Sequence, residues 1–131
     1  METITISTRN RTDFVNVTQE VSEAVKRLGV TDGVVTVFVP HTTCGVTINE
    51  AADPDVVDDM ATALEKTVPW RAGYAHAEGN AAAHIKASLV GSSVSIIRER
   101  EKLALGTWQG VFLCEFDGPR TRRIWIKASH G

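Results

Sequence analysis

The sequence predicts an α+β domain, and three observations predict it. Short apolar runs with strand alternation sit towards both ends of the chain, and three stretches with apolar residues three and four apart lie among them. No linker, repeat or low-complexity tract divides the 131 residues. Domains commonly run to roughly 100–200 residues, so residues 1–131 read as one unit. The composition, 43% hydrophobic and 23% charged, is that of a globular chain and not of a disordered or fibrous one. A domain of this size buries roughly two-thirds of the surface its unfolded chain exposes, so any metal it holds serves chemistry and not folding.

The elements follow in order. Residues 3–8 alternate Ile with Thr or Ser and read as a half-buried strand, and Arg9-Asn10-Arg11 reads as a turn. Val17, Val21, Ala24, Val25 and Leu28 form a helical stripe, which Thr18 can cap and Gly29 stops in the left-handed conformation. Residues 34–39 are apolar on both alternating faces, as in a central strand covered from both sides. A second strand, 44–50, sets Cys44, Val46, Ile48 and Glu50 on one face and Gly45, Thr47 and Asn49 on the other. Asp53-Pro54 opens a helix of about three turns with Val56, Val57, Met60 and Leu64 inward. Residues 69–79 lack periodicity and form a loop, and 80–90 form a helix with Ala82, Ile85 and Leu89 inward and Gly91 as its stop. Strands at 92–98, 108–116 and 121–127 close the chain as an antiparallel meander, the last two joined at Asp117-Gly118-Pro119-Arg120. His130 falls in a tail.

Charge narrows the partners. Fourteen Lys+Arg against 16 Asp+Glu give a net charge of −2, which offers no general attraction to nucleic acid or to anionic membranes. No window reaches the roughly 20 apolar residues of a membrane-spanning helix, and the N-terminus alternates instead of forming a signal core, so a cytoplasmic protein is expected. Cys44 and Cys114, without CxxC spacing, read as free buried thiols of a reducing compartment.

The residues suited to chemistry fall at strand ends, loops and helix starts, where a rigid scaffold can aim several polar groups into one cleft. His41, His76 and His84 with Glu78 are types that hold a divalent cation, zinc or magnesium. The alternative is that each is an ordinary hydrogen-bonded residue. Glu50 continues an apolar strand face, so its carboxylate needs a cation or donor there. Asp53 reads as a helix cap, and Asp55, Asp58 and Asp59 as a solvated face. Arg120, after a Gly-Pro turn, suits a phosphate through its fork of N–H donors. Arg122 and Arg123 point to opposite strand faces, so at least one is a solvated edge or a subunit contact. Gln109 can bond a ligand beside the Trp108 ring, although a Trp at a strand start more often serves core packing. His41 and Cys44, three apart in an extended segment, face opposite ways and make no nucleophilic pair.

Five motifs occur in succession: His41-Thr42-Thr43 leading into Thr47-Ile48-Asn49-Glu50, Asp53-Pro54-Asp55, Glu78-Gly79-Asn80 with His84-Ile85-Lys86, Gly106-Thr107-Trp108-Gln109-Gly110 and Phe116-Asp117-Gly118-Pro119-Arg120. Together they resemble the YjbQ family over nearly the whole chain. Members of that family are described as secondary thiamine-phosphate synthase enzymes.

The resemblance implies a compact α+β fold of packed, mainly antiparallel sheets with about three helices, assembled as a trimer. It implies a transferase that joins hydroxymethylpyrimidine diphosphate to thiazole phosphate and releases pyrophosphate. Carried onto this chain, the catalytic set is His41, Glu50, His84 and Gln109; Thr43, Asn49, Asn80 and Arg120 hold a small phosphorylated metabolite; and His41, His76, His84 and Glu78 hold the divalent cation. The dedicated thiamine-phosphate synthase is a (β/α)₈ barrel that needs roughly 200 residues or more, so a shared reaction is convergent. The same cluster suits two other roles: hydrolysis of a small anionic metabolite, or metabolite and metal binding without turnover in a trimer.

Overall fold

A computed structural model describes residues 1–131, and its eleven elements run β1 (Glu2–Ser7), β2 (Asp13–Asn16), α1 (Thr18–Leu28), β3 (Gly33–Phe38), β4 (Cys44–Glu50), α2 (Pro54–Thr67), α3 (Ala81–Val90), β5 (Ser93–Glu99), β6 (Lys102–Leu103), β7 (Gln109–Glu115) and β8 (Thr121–His130). The strands form two antiparallel sheets. One has five strands in the order β1-β8-β3-β5-β6, and the other has three in the order β2-β7-β4.

Alternation decides what fills the space between the sheets. Val35, Val37, Ile96, Ile124 and Ile126 point inward from the large sheet and meet Val46, Val111 and Leu113 from the small one. Val21, Ala24 and Val25 of α1 join the same core. A second core lies on the far face of the small sheet, where Phe112, Cys114 and Phe116 receive Ala83 and Ala87 of α3, with Val57 and Leu64 of α2 against them. The layers are therefore large sheet, core, small sheet and helix pair. No helix is long and apolar enough to cross a membrane.

This one-sided stacking changes several expectations. The strand covered on both faces is β7, buried from Gly110 to Glu115, and not β3. On β3, Val34 is 46% and Phe38 38% exposed, because no element covers the outer face of the large sheet. The closing strands form no meander: β7 belongs to the small sheet and β8 to the large one, so residues 116–120 cross between layers. β8 runs on to pair His130 with Gly33, so that histidine is part of a strand and not a tail. Strands β2 and β6 are additional and have little apolar periodicity of their own.

The caps show which local signals matter. Asp53 accepts from the Asp55 N–H at 2.9 Å with Pro54 in the first turn, and Gly29 takes φ 73° after α1, both as their chemistry dictates. Thr18 does not cap α1. Its hydroxyl accepts from the Val111 N–H at 2.8 Å and ties α1 to β7, while Asn16 Oδ1 takes the Thr18 N–H at 3.0 Å.

α3 departs furthest from its pattern. Ala82, Ala83, Lys86 and Ala87 are buried while Ile85 and Leu89 are 39% and 62% exposed. The cause is close approach: a Cβ on Gly45 of β4 would stand 2.7 Å from Gly91 O and 3.1 Å from Val90, so only small side chains fit between helix and sheet. Lys86 is tolerated because its Nζ donates to Glu65 at 2.6 Å. This approach sets His84 above the start of β4. Gly45→Ala should therefore lose about 1–3 kcal/mol in a urea unfolding series.

Candidate functional site

Five segments converge where the two sheets and α3 meet. The β3–β4 connection brings His41, Thr42 and Thr43, the loop before α3 brings His76, Glu78 and Asn80, and the first turn of α3 brings His84. The β7–β8 crossing adds Asp117 and Arg120, and β8 adds Arg122. Together they line a hollow of about 450 Å³ with no hydrophobic side chain in its wall apart from the Pro40 ring. Two more hollows adjoin it. One, beyond His41 and His84, reaches Ser88 and Ser92, and the other, beyond His76 and Glu78, reaches Trp70 and Tyr74.

Its rear wall is a buried ion pair. Glu115 and Arg122 are 0% and 4% exposed, and Arg122 Nε donates to Glu115 Oε1 at 2.7 Å while a second Arg122 nitrogen meets Oε2. The carboxylate also takes the Thr8 hydroxyl at 2.8 Å and the Asp117 N–H at 3.0 Å, and Arg122 donates to Thr43 Oγ1 at 2.8 Å. Burial pushes the Glu115 carboxyl up, but these donors, Arg122 foremost, hold it below the usual carboxylate range.

On the near side, Asp117 Oδ2 accepts from Asn80 Nδ2 at 2.9 Å and from Arg120 at 3.0 Å, and Arg120 Nε donates to the Asp117 carbonyl at 2.7 Å. Asn80 Oδ1 is buried without a partner. The His41 Nε2 accepts the Arg123 N–H at 2.9 Å, which leaves the ring proton on Nδ1. Burial, then the nearby Arg122 guanidinium, keeps His41 below the ordinary histidine pKa. The His76 and His84 rings meet edge to face at 5.3 Å, and His76 Nε2 lies 3.9 Å from Glu78.

A sequence model for the UPF0047 protein YjbQ-like family matches residues 2–131. The chain belongs to that family. It is 47% identical over 128 residues to the UPF0047 protein YugU of Bacillus subtilis, covering 97% of each chain. A UPF0047 protein of Methanocaldococcus jannaschii is 47% identical over 122 residues, 93% of this chain and 88% of the relative. The crystal structure of a yjbq/upf0047 family protein from Clostridium acetobutylicum superposes with a TM-score of 0.96 at 50% identity, covering 98% of this chain and all of that one.

In this YjbQ-like chain the hollow gathers His41, Thr43, His76, Glu78, Asn80, His84 and Arg120, all expected site residues. Three expected members lie elsewhere. Asn49, Glu50 and Gln109 sit at the opposite end of the small sheet, Glu50 paired with Gln109 and Asn49 with Gly110, roughly 20 Å along β4 from Cys44. There Gln109 Oε1 takes the Gly106 N–H at 2.8 Å and Asn49 Oδ1 the Glu50 N–H, so these side chains serve their own turns. Glu50 stays half-exposed and has no cation partner. Conversely, Asp117, Arg122 and Glu115 belong to the site or its wall. Their signal was a carboxylate inside the apolar run Leu113-Cys114-Glu115-Phe116, which demands a cation nearby.

A resident cation fits the donor set poorly. No three His, Cys, Asp or Glu side chains stand close enough to share an ion, and His41 Nε2 is already occupied. Neither thiol adds a nucleophile: Cys44 and Cys114 are both fully buried, and burial pushes Cys44 up to about 12 and Cys114 further.

Two outcomes follow for the wall and for His41. Arg122→Met should lose about 3–5 kcal/mol by denaturant unfolding because it strands a buried carboxylate, and Glu115→Leu with Arg122→Met should lose less than that single change. Because Glu115 titrates lower in the folded state, the stability it contributes should be complete above the unfolded carboxyl pKa and fade as pH falls through its folded value. In an NMR titration His41 should protonate below the ordinary histidine value of about 6.5, so folding weakens as pH drops from there, and His41→Gln should remove that part of the dependence.

Proposed function

We propose that this chain is a transferase of the thiamine-phosphate type, joining hydroxymethylpyrimidine diphosphate to thiazole phosphate. What supports the reading most is the convergence of three imidazoles, Asn80 and Arg120 from distant segments on one polar hollow, together with the family likeness. In the reaction the thiazole nitrogen forms a bond to the pyrimidine methylene, the bond from that carbon to the diphosphate oxygen breaks, and pyrophosphate leaves. The electron pair departs with pyrophosphate and the ring nitrogen becomes cationic, so no base is required.

The site must therefore align two molecules and stabilise a growing anion. Arg120 supplies the N–H groups that Asp117 leaves free, and neutral His41 retains an N–H to donate. A divalent cation, magnesium or zinc, enters with the diphosphate as part of the substrate, in keeping with the lack of a preformed ligand trio. The small phosphorylated metabolite is thus the partner in the hollow.

The outer face of the large sheet carries the assembly in this reading. Val34 beside Ile97, and Phe38 stacked on Trp125 at 5.8 Å, leave apolar side chains exposed that copies of the chain cover in a homotrimer. Two buried, unbridged cysteines suit a cytoplasmic location.

Purified protein given both precursors and magnesium should release thiamine phosphate and pyrophosphate in equal amounts and stop when a chelator is added. Arg120→Ala should cut kcat/KM by about 100-fold, and Glu50→Gln should leave it within about twofold. No coupled product with any cation overturns the reading, and phosphate release without coupling replaces it with hydrolysis. Sedimentation should give three times the 14.2 kDa chain mass, and Ile97→Asp should shift the species to a single chain.

A further inference from the structure

The hollow beyond His76 and Glu78 differs in kind from its neighbours. It measures about 470 Å³ and is lined by residues 70–74 and Gly79 together with the two residues it shares with the central site. The central hollow offers no apolar wall, and the one by Ser88 and Ser92 offers only Ala87. A flat ring would stay hydrated in either of those, whereas two aromatic side chains can take it out of water.

The aromatic wall is held in place before any ligand arrives. Tyr74 donates its hydroxyl to the Pro69 carbonyl at 2.6 Å, which closes residues 69–74 on themselves. The Arg11 guanidinium stands 4.4 Å over the Trp70 ring, and Trp70 packs against the second core. Both rings are half-buried, so little freedom remains to lose on binding. At the rim, Arg71 is exposed and makes no ion pair, unlike Arg120 and Arg122, which each hold a carboxylate.

We infer that the Trp70–Tyr74 hollow is the ring subsite of the reaction centre. It takes a planar heteroaromatic ring bearing an anionic substituent, and presents the ring's reacting edge across the His76–Glu78 wall. The inference rests on the central hollow being a site for phosphorylated metabolites, and it adds that one substrate is recognised by its ring.

Calorimetric titration with two probes tests it: thiazole phosphate, and glycerol phosphate, which carries the same anionic group without a ring. Thiazole phosphate should bind about tenfold more tightly. Tyr74→Ala should remove that advantage and leave glycerol phosphate unchanged, while Tyr74→Phe, which keeps the ring and loses only the bond to Pro69, should preserve it. Equal affinity for the two probes in the natural chain overturns the ring subsite and leaves the central site standing. So does a Tyr74→Phe loss as large as that of Tyr74→Ala, because the loop brace would then account for the effect. Failure of both probes to bind overturns the central reading and this one with it.

Discussion

The buried pair of Glu115 and Arg122 is the interaction on which the rest of the site depends. It joins β7 of the small sheet to β8 of the large one beside the crossing at residues 116–120. Two charges removed from water are costly, and the cost is offset here by their mutual hydrogen bonds and by further ones to Thr8, Thr43 and the Asp117 N–H. Two of those partners belong to polar segments at the hollow. Thr43 ends the His41-Thr42-Thr43 turn, and Asp117 begins the crossing that carries Arg120. The crossing leaves no room to vary, since a Cβ on Gly118 would come within 2.3 Å of the Asn10 carbonyl.

A second constraint is the asymmetry of the layers. The helical cover on the outer face of the small sheet comes from α2 and α3, and the tight seat of α3 against Gly45 fixes the height of His84 over His41. The large sheet has α1 against its inner side and nothing outside it, so Phe38 and Trp125 stack in the open. The same arrangement that builds the polar hollow on one side thus leaves an apolar surface on the other, at opposite layers of one sandwich.

How far the amino-acid pattern reveals this depends on the range of the interaction. Ile4, Val35, Val37 and the Asp53-Pro54 and Gly29 caps are legible because strand alternation and capping act over a few residues. The α+β class and the gathering of His41, His84, Asn80 and Arg120 are legible because ordered motifs mark them, and His76 because it falls in the aperiodic loop 69–79. Sheet membership is not legible, since β7 and β8 are joined by a short turn that looks like a hairpin and pairs neither with the other. The face of α3 is misread because Ile85 and Leu89 have the apolarity of a core stripe, whereas the close approach of α3 to Gly45 turns the face of Ala82, Ala83, Lys86 and Ala87 inward. Glu50 and Glu115 both interrupt apolar strands. Only a long-range fact, the position of Arg122 across the layers, tells which carboxylate is buried and which ends at a wet sheet edge.

The central claim is that anionic metabolites bind where the imidazoles and Arg120 meet. Its most direct test is a titration of isotope-labelled protein with inorganic pyrophosphate, followed residue by residue by NMR. The account predicts saturable shifts confined to His41, Thr43, Asn80, His84 and Arg120 and their immediate neighbours. Shifts that cluster instead around Glu50 and Gln109 at the far end of the small sheet, or none at millimolar ligand, would contradict it.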